Sequence, residues 1–255
     1  MVGYAELAKM NIFSIEDVEK LVDNKNTAYS MVNRLTKNGL AIKIRSHLYT
    51  CIEPQNNQPV ATKYQIATAI SESAYISHHT AFEYYGQANQ VFHEVYVASN
   101  SYFRDFEFNG FIYKHVKSKF QDGVISQKNT MGVHITDIER TVIDSLKDFD
   151  KIGGLEELLS CIEMLTFLDS QKLLRYLSLY DLQVLYQKCG YILQHYKESL
   201  KLPESFFEIC KSKIGKSIRY LSSNIVTDTV FNKEWKLVVP SDLFDINGQG
   251  GDVLV

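Results

Sequence analysis

At 255 residues, with 45% hydrophobic and 22% charged residues, the chain is long enough to bury a sizeable core and has the balance of an ordinary globular protein. A net charge of −3 and a pI of about 6.2 exclude a protein that coats nucleic acid by bulk electrostatics. Cys51, Cys161, Cys189 and Cys210 lie far apart without zinc-ligand spacing, and no apolar run reaches the roughly 18 residues of a membrane span.

Residues 4–9 read as a very short first helix. Ser14 caps a second, over 14–22, whose acidic first turn complements the positive end of the helix dipole and whose inner face is Ile15, Val18, Leu21 and Val22. The connection over 23–26 is short enough for a helix-turn-helix. Residues 24–52 then hold five Lys/Arg and no Asp or Glu. Within them Ala28, Met31, Val32 and Leu35 form one apolar stripe at helical spacing. Opposite the stripe stand Asn26, Ser30, Asn33 and Lys37, flanked by Lys25, Thr27, Tyr29 and Arg34, all side chains that bond bases or phosphates. Asn24 or Asn26 caps this helix, and Asn38-Gly39 ends it. Residues 40–52 alternate as a two-stranded hairpin, with Ile42, Ile44, Leu48 and Tyr49 expected inside and Lys43, Arg45 and His47 toward solvent. This is the layout of a winged helix-turn-helix, and its partner class is double-stranded DNA. A solvated helix face is the plainer alternative; helix, hairpin and charge in combination favour the DNA reading.

Residues 53–59 are polar and carry two of the four prolines, which places a linker there and divides the chain into 1–53 and 60–255. The first part holds seven Lys/Arg against six Asp/Glu and the remainder 20 against 24, so a locally basic head is joined to a mildly acidic body. Downstream, a helix is expected over 63–71, a strand over 74–77 and a helix over 80–85. A strand over 91–98 would put Val91, His93, Val95 and Val97 on one side. Asn109-Gly110 between apolar runs predicts a type I′ hairpin of 106–108 with 111–116, and 132–136 a further strand. Thr136 and Glu139 match a capping box. Helices should follow over 137–149, 154–165, 170–179, 181–190 and 204–213, then a strand over 235–239 and frayed terminal residues. The expected fold class is α+β: an N-terminal winged helix-turn-helix, a mixed α/β region and a C-terminal helical bundle.

Enzyme chemistry finds little purchase. Asp137, Glu139, Arg140 and Asp144 are the densest charged cluster, and a Mg²⁺-dependent nuclease would need carboxylates to converge there. With Glu139 assigned to the capping box, a structural role is favoured. His78-His79 followed by Glu83 resembles a metal pair, but adjacent histidines on a turn diverge. There is no Gly-rich phosphate loop and no Gly-x-Ser-x-Gly. No catalytic residue, metal or cofactor is expected. Sixteen tyrosines and fourteen phenylalanines raise base stacking, yet most, such as Tyr96 and Tyr186, fall at core-facing spacings.

The N-terminal unit, Tyr75-Ile-Ser-His-His-Thr-Ala-Phe-Glu-Tyr-Tyr-Gly86 and Thr136-Asp-Ile-Glu-Arg-Thr-Val-Ile-Asp144 together resemble the AbiEi antitoxins of type IV toxin-antitoxin systems. The resemblance extends to Cys189-Gly-Tyr-Ile-Leu193 and to the late tryptophan followed by Val238-Val-Pro240. Its motif positions are Ser77 and Ala81, then Glu139, Arg140, Thr141 and Asp144. It implies a repressor of its own operon that binds inverted repeats, two copies per site, through the winged helix. It also implies an antitoxin part that counters a nucleotidyltransferase-like toxin without a stable complex. By resemblance Asn26 to Lys37 would read the operator, and Lys43 and Arg45 would contact phosphate. One departure is Arg45-Ser-His-Leu-Tyr49, where relatives often have Arg-Gly-x-Tyr. No membrane association is expected; an N-terminus without a basic start and apolar run gives cytoplasm as the expected compartment. The alternatives are a nuclease or nucleotidyl-handling enzyme with Asp137 and Asp144 as metal ligands, or a protein-interaction module in the C-terminal helices.

Overall fold

The structure is a computed structural model that describes residues 3–126, 132–222 and 228–244. The chain forms a mixed α/β fold of two compact units, one drawn from Met1–Ile76, Phe92–Phe120 and Val124–Ile135, the other from Ser77–Val91, Gln121–Gly123 and Thr136–Val255. Neither unit ends at Glu53.

The first unit begins with α1 (Tyr4–Met10), β1 (Ile12–Phe13), α2 (Ile15–Val22) and α3 (Lys25–Lys37), followed by the hairpin of β2 (Ala41–Arg45) and β3 (Leu48–Glu53) and by β4 (Gln58–Pro59). Ser14 starts α2 through a capping box: its hydroxyl accepts the Asp17 N–H at 3.1 Å, and the Asp17 carboxylate accepts the Ser14 N–H at 3.0 Å. The expected stripe of α3 is fully used, since Ala28, Met31, Val32 and Leu35 are all buried, against Leu7, Phe13, Ile15 and Val18. Leu21, expected on the inner face of α2, is instead 41% exposed. The strands run in the order β1-β3-β2, with β4 also on β3. Residues 53–59, expected as a linker, belong to the β3/β4 hairpin: 54–57 are its turn, Glu53 faces Gln58 and Ile52 faces Pro59. Their polar composition serves a turn, where Asn57 adopts a left-handed φ of 56°.

The same unit continues with α4 (Lys63–Ala69), β5 (Tyr75–Ile76), β6 (Glu94–Ser99), β7 (Phe106–Phe108), β8 (Phe111–Lys117), β9 (Val124–Ser126) and β10 (His134–Thr136). These strands form one sheet in the order β7-β8-β6-β5-β10-β9, with β6 parallel to β8 and β5 parallel to β10. Central position explains why β6 is buried on both faces, from Val95 through Ala98, where alternation had suggested a half-buried strand. Val91 lies before it and is 75% exposed. The β7/β8 turn has Asn109 at φ 48° and Gly110 at φ 78°, the two left-handed residues a type I′ turn needs.

The second unit packs α5 (His78–Tyr84), α6 (Ile138–Lys147), a 3₁₀ turn (Phe149–Ile152), α7 (Leu155–Glu163), α8 (Ser170–Tyr180), α9 (Gln183–His195) and α10 (Glu204–Ser212) around one apolar core. A small sheet in the order β11-β13-β12, from β11 (Arg219–Tyr220), β12 (Thr229–Asn232) and β13 (Leu237–Pro240), completes it. The strand expected over 235–239 starts two residues later because Trp235 turns inward. Its indole is 1% exposed and lies so close to α9 that a Cβ on Gly190 would stand 2.0 Å from it. The expected fraying of the terminus lies outside the described residues. No helix among those described is long and apolar enough to cross a membrane.

Candidate nucleic-acid interface

The apolar stripe of α3 fixes which side faces water. With Ala28, Met31, Val32 and Leu35 committed to the core, Lys25, Asn26, Thr27, Tyr29, Ser30, Asn33, Arg34 and Lys37 are all exposed. Asn24 holds the first turn, its Oδ1 accepting the Thr27 N–H at 2.9 Å and the Thr27 hydroxyl at 3.1 Å. No acid sits in that turn, while Arg34 and Lys37 in the last turn complement the negative helix end. Among the described residues Lys25, Arg34, Lys37 and Lys43 enter no ion pair. Ser30, Asn33, Arg34, Lys37 and Asn38 line a shallow depression of about 410 Å³ on this face. Asn38, expected as a helix end, also belongs to this lining.

The β2/β3 hairpin departs from the expected alternation. Its register slips between Lys43 and Arg45, so that Ile44 is an extra residue in β2. As a result Ala41 and Ile44 are buried and Ile42 is 40% exposed, although 42 and 44 would share a face in a regular strand. Lys43 and His47 are exposed as expected. Arg45 is not free toward solvent: it is half-buried, with its guanidinium 5.5 Å and 5.1 Å from the ring centres of Phe103 and Phe106. The tip is Ser46-His47, and His47, at the place where a glycine would be at ease, takes a left-handed φ of 63°.

The charged cluster of the second unit is arranged in the opposite way. The capping box expected at Thr136 and Glu139 is not formed. Asp137 caps α6, its Oδ1 accepting the Arg140 N–H at 2.9 Å. Thr136 shares a hydrogen bond of 2.7 Å with Thr141, and Glu139 reaches across to accept from the Asp169 N–H at 3.0 Å and from Lys172 at 3.2 Å. Arg140, 1% exposed, donates from Nε to Asp144 at 2.7 Å, from Nη1 to the Asp122 carbonyl at 2.6 Å and from Nη2 to the Tyr180 hydroxyl at 3.2 Å. Tyr180 donates to Asp144 at 2.6 Å, and Tyr176 to Asp137 at 2.7 Å. Burial and the neighbouring carboxylates push both phenols up. Burial works against the Lys172 ammonium, but Asp137 and Glu139 outweigh it and raise its pKa. Asp137 and Asp144 are thus engaged by protein donors, and among the described residues no group of three or more His, Cys, Asp or Glu could hold a metal ion. Lys172, Tyr176 and Tyr180 were missed, although their spacing of four on α8 is a polar stripe legible in sequence.

His78 and His79, both buried, turn to different carboxylates. His78, at a left-handed φ of 55°, has Nδ1 2.8 Å from the Ser77 hydroxyl and Nε2 3.7 Å from Asp148, while His79 Nε2 lies 3.4 Å from Glu157. Ser77-His78-Asp148 has the residue types of a hydrolytic triad, but Ser77 is fully buried. Ala81 is likewise buried, in the α5 face that packs on the core.

No family model matches the chain, and no curated relative matches it. A crystal structure of the RV2827C protein from Mycobacterium tuberculosis is similar in fold, with a TM-score of 0.63 over 96% of this chain and 93% of that chain, at 13% sequence identity. At that identity the likeness concerns the fold alone.

Proposed function

We propose that this chain is a sequence-specific DNA-binding repressor of the AbiEi type, in which α1–α3 and the β2/β3 hairpin act as a winged helix-turn-helix. The observation that carries the reading is the outer face of α3. Its polar side chains are all exposed, its cations enter no ion pair among the described residues, and the stretch around it holds no acid.

In this reading α3 enters the major groove. Asn26, Ser30 and Asn33 meet base edges, while Lys25, Arg34, Lys37 and, from the hairpin, Lys43 neutralise phosphates. Few cations and many amide and hydroxyl groups give modest electrostatic affinity and a larger share of direct base readout. Two copies occupy an inverted repeat whose half-sites lie about one helical turn, or a multiple of it, apart. The second unit serves as the antitoxin part, countering a nucleotidyltransferase-like toxin without a stable complex, and the protein works in the cytoplasm. No catalytic step is assigned to Asp137 or Asp144, whose oxygens are bonded to Arg140, Lys172 and the two tyrosines.

Nuclease footprinting on the DNA upstream of the chain's own reading frame tests this. The expected result is two protected half-sites of inverted sequence. Protection with no sequence preference, or none at concentrations that retard random duplex, would refute it.

A further inference from the structure

Arg45 ends β2 just where the register slips, and the slip carries its side chain toward the edge of the larger sheet. There its guanidinium sits over both Phe103 and Phe106. These rings are themselves fixed. Phe103 is 5% exposed and meets His115 edge-on at 5.0 Å, and Phe106 stacks on Tyr113 with centroids 4.7 Å apart and planes at 6°. Arg45 Nη1 is shut off from solvent and has no hydrogen-bond partner among the described residues. A guanidinium that grips phosphate presents its N–H fork outward, whereas one laid over aromatic faces is held by their quadrupoles. The tip beside it needs such support, because a two-residue turn with His47 in the left-handed region is disfavoured for a residue other than glycine.

We infer that Arg45 is a positioning residue: clasped by Phe103 and Phe106, it fixes the β2/β3 hairpin against β7 and so sets where Lys43 and His47 stand, without itself touching DNA. The consequence for DNA binding rests on the repressor reading above, whereas the clasp stands or falls without DNA. Lysine cannot replace arginine here, since it keeps the charge and loses the planar group that covers two rings.

The test compares Arg45→Lys and Phe106→Leu with the unaltered protein, each first checked for native circular dichroism. Hydrogen exchange at the amides of residues 42–49 should quicken by about 2- to 30-fold in both variants, the span of a cation–π contact, while the α3 amides keep their rates. Unchanged exchange in both variants overturns the clasp. On upstream DNA both should bind more weakly with the same dependence on salt, because no phosphate contact is lost. Full binding by Arg45→Lys, together with a salt slope reduced by about 0.9 in Arg45→Ala, would make Arg45 a phosphate ligand and overturn the inference. If the unaltered protein binds no DNA, the repressor reading fails and the exchange rates still decide the clasp.

Discussion

Lys25, Arg34 and Lys37 on α3 and Arg140 on α6 are all cations of short amphipathic helices, yet their surroundings are opposite. The first three are exposed and without an ion pair among the described residues, while Arg140 is 1% exposed and spends its donors on Asp144, Asp122 and Tyr180. Charge density alone does not mark a binding surface; what marks it is whether the partners of the charge lie inside the chain. For Arg140 they do. For the cations of α3 no ion pair lies among the described residues, and the proposed function takes their partners from DNA.

The comparison breaks first at Arg140. Arg140→Ala leaves Asp144 buried without its cation, and removing one member of a buried pair costs about 3–5 kcal/mol, so the second unit should lose most of its resistance to urea. A midpoint shifted by less than the error of the titration would mean that the network is dispensable. A smaller effect should appear on acidification. Burial alone would raise the Asp148 carboxyl, but the nearby His78 ring, a hydrogen bond from Lys147 at 2.7 Å and the charges of Lys147 and Lys151 hold it well below the usual carboxylate range. A carboxyl with a depressed folded pKa contributes stability above its unfolded value of about 4 and loses it as pH falls further. Asp148→Asn should therefore flatten the fall in urea midpoint below about pH 4 and leave its slope above pH 6 unchanged.

On the exposed side the effects are local and smaller. Asn24→Ala removes the two hydrogen bonds that begin α3 and should cost about 1 kcal/mol, read by thermal melting. His47→Gly should act in the other direction: it relieves the left-handed strain at the hairpin tip and, if His47 adds nothing else, stabilises by a few tenths to about 1 kcal/mol. A destabilised His47→Gly would show that the imidazole packs on something the tip requires.

Features set by neighbours along the chain were legible in sequence. The stripe of α3, the cap at Ser14 and the Asn109-Gly110 turn each depend on spacing of a few residues, and each is present; of the two candidate caps of α3, Asn24 and Asn26, it is Asn24 that serves. Features set by two distant segments were not. The bulge at Ile44 is a property of the β2/β3 pairing, and the rings that take up Arg45 lie some 60 residues further on. The N-cap of α6 shows the same limit, because Thr136 and Asp137 are both good caps, and the choice falls to Asp137, which Tyr176 and Lys172 also hold. Residues 53–59 misled for a related reason: polar, proline-containing composition belongs equally to linkers and to turns, and only the pairing of β4 with β3 distinguishes them. Of the proposed DNA-facing set, all but Arg45 stand exposed on α3 or the hairpin, whereas the motif residues Ser77, Ala81, Glu139, Arg140, Thr141 and Asp144 are all buried.

The central claim is that the outer face of α3 reads DNA, and a titration of upstream duplex against a scrambled duplex, repeated over a range of salt, tests it most directly. The unaltered protein should prefer the upstream duplex. Lys37→Ala should weaken binding to both duplexes and lower the salt slope by about 0.9, and Asn33→Ala should erode the preference by about 1–3 kcal/mol while leaving the slope alone. Equal affinity for the two duplexes, unaltered by either substitution, would contradict it.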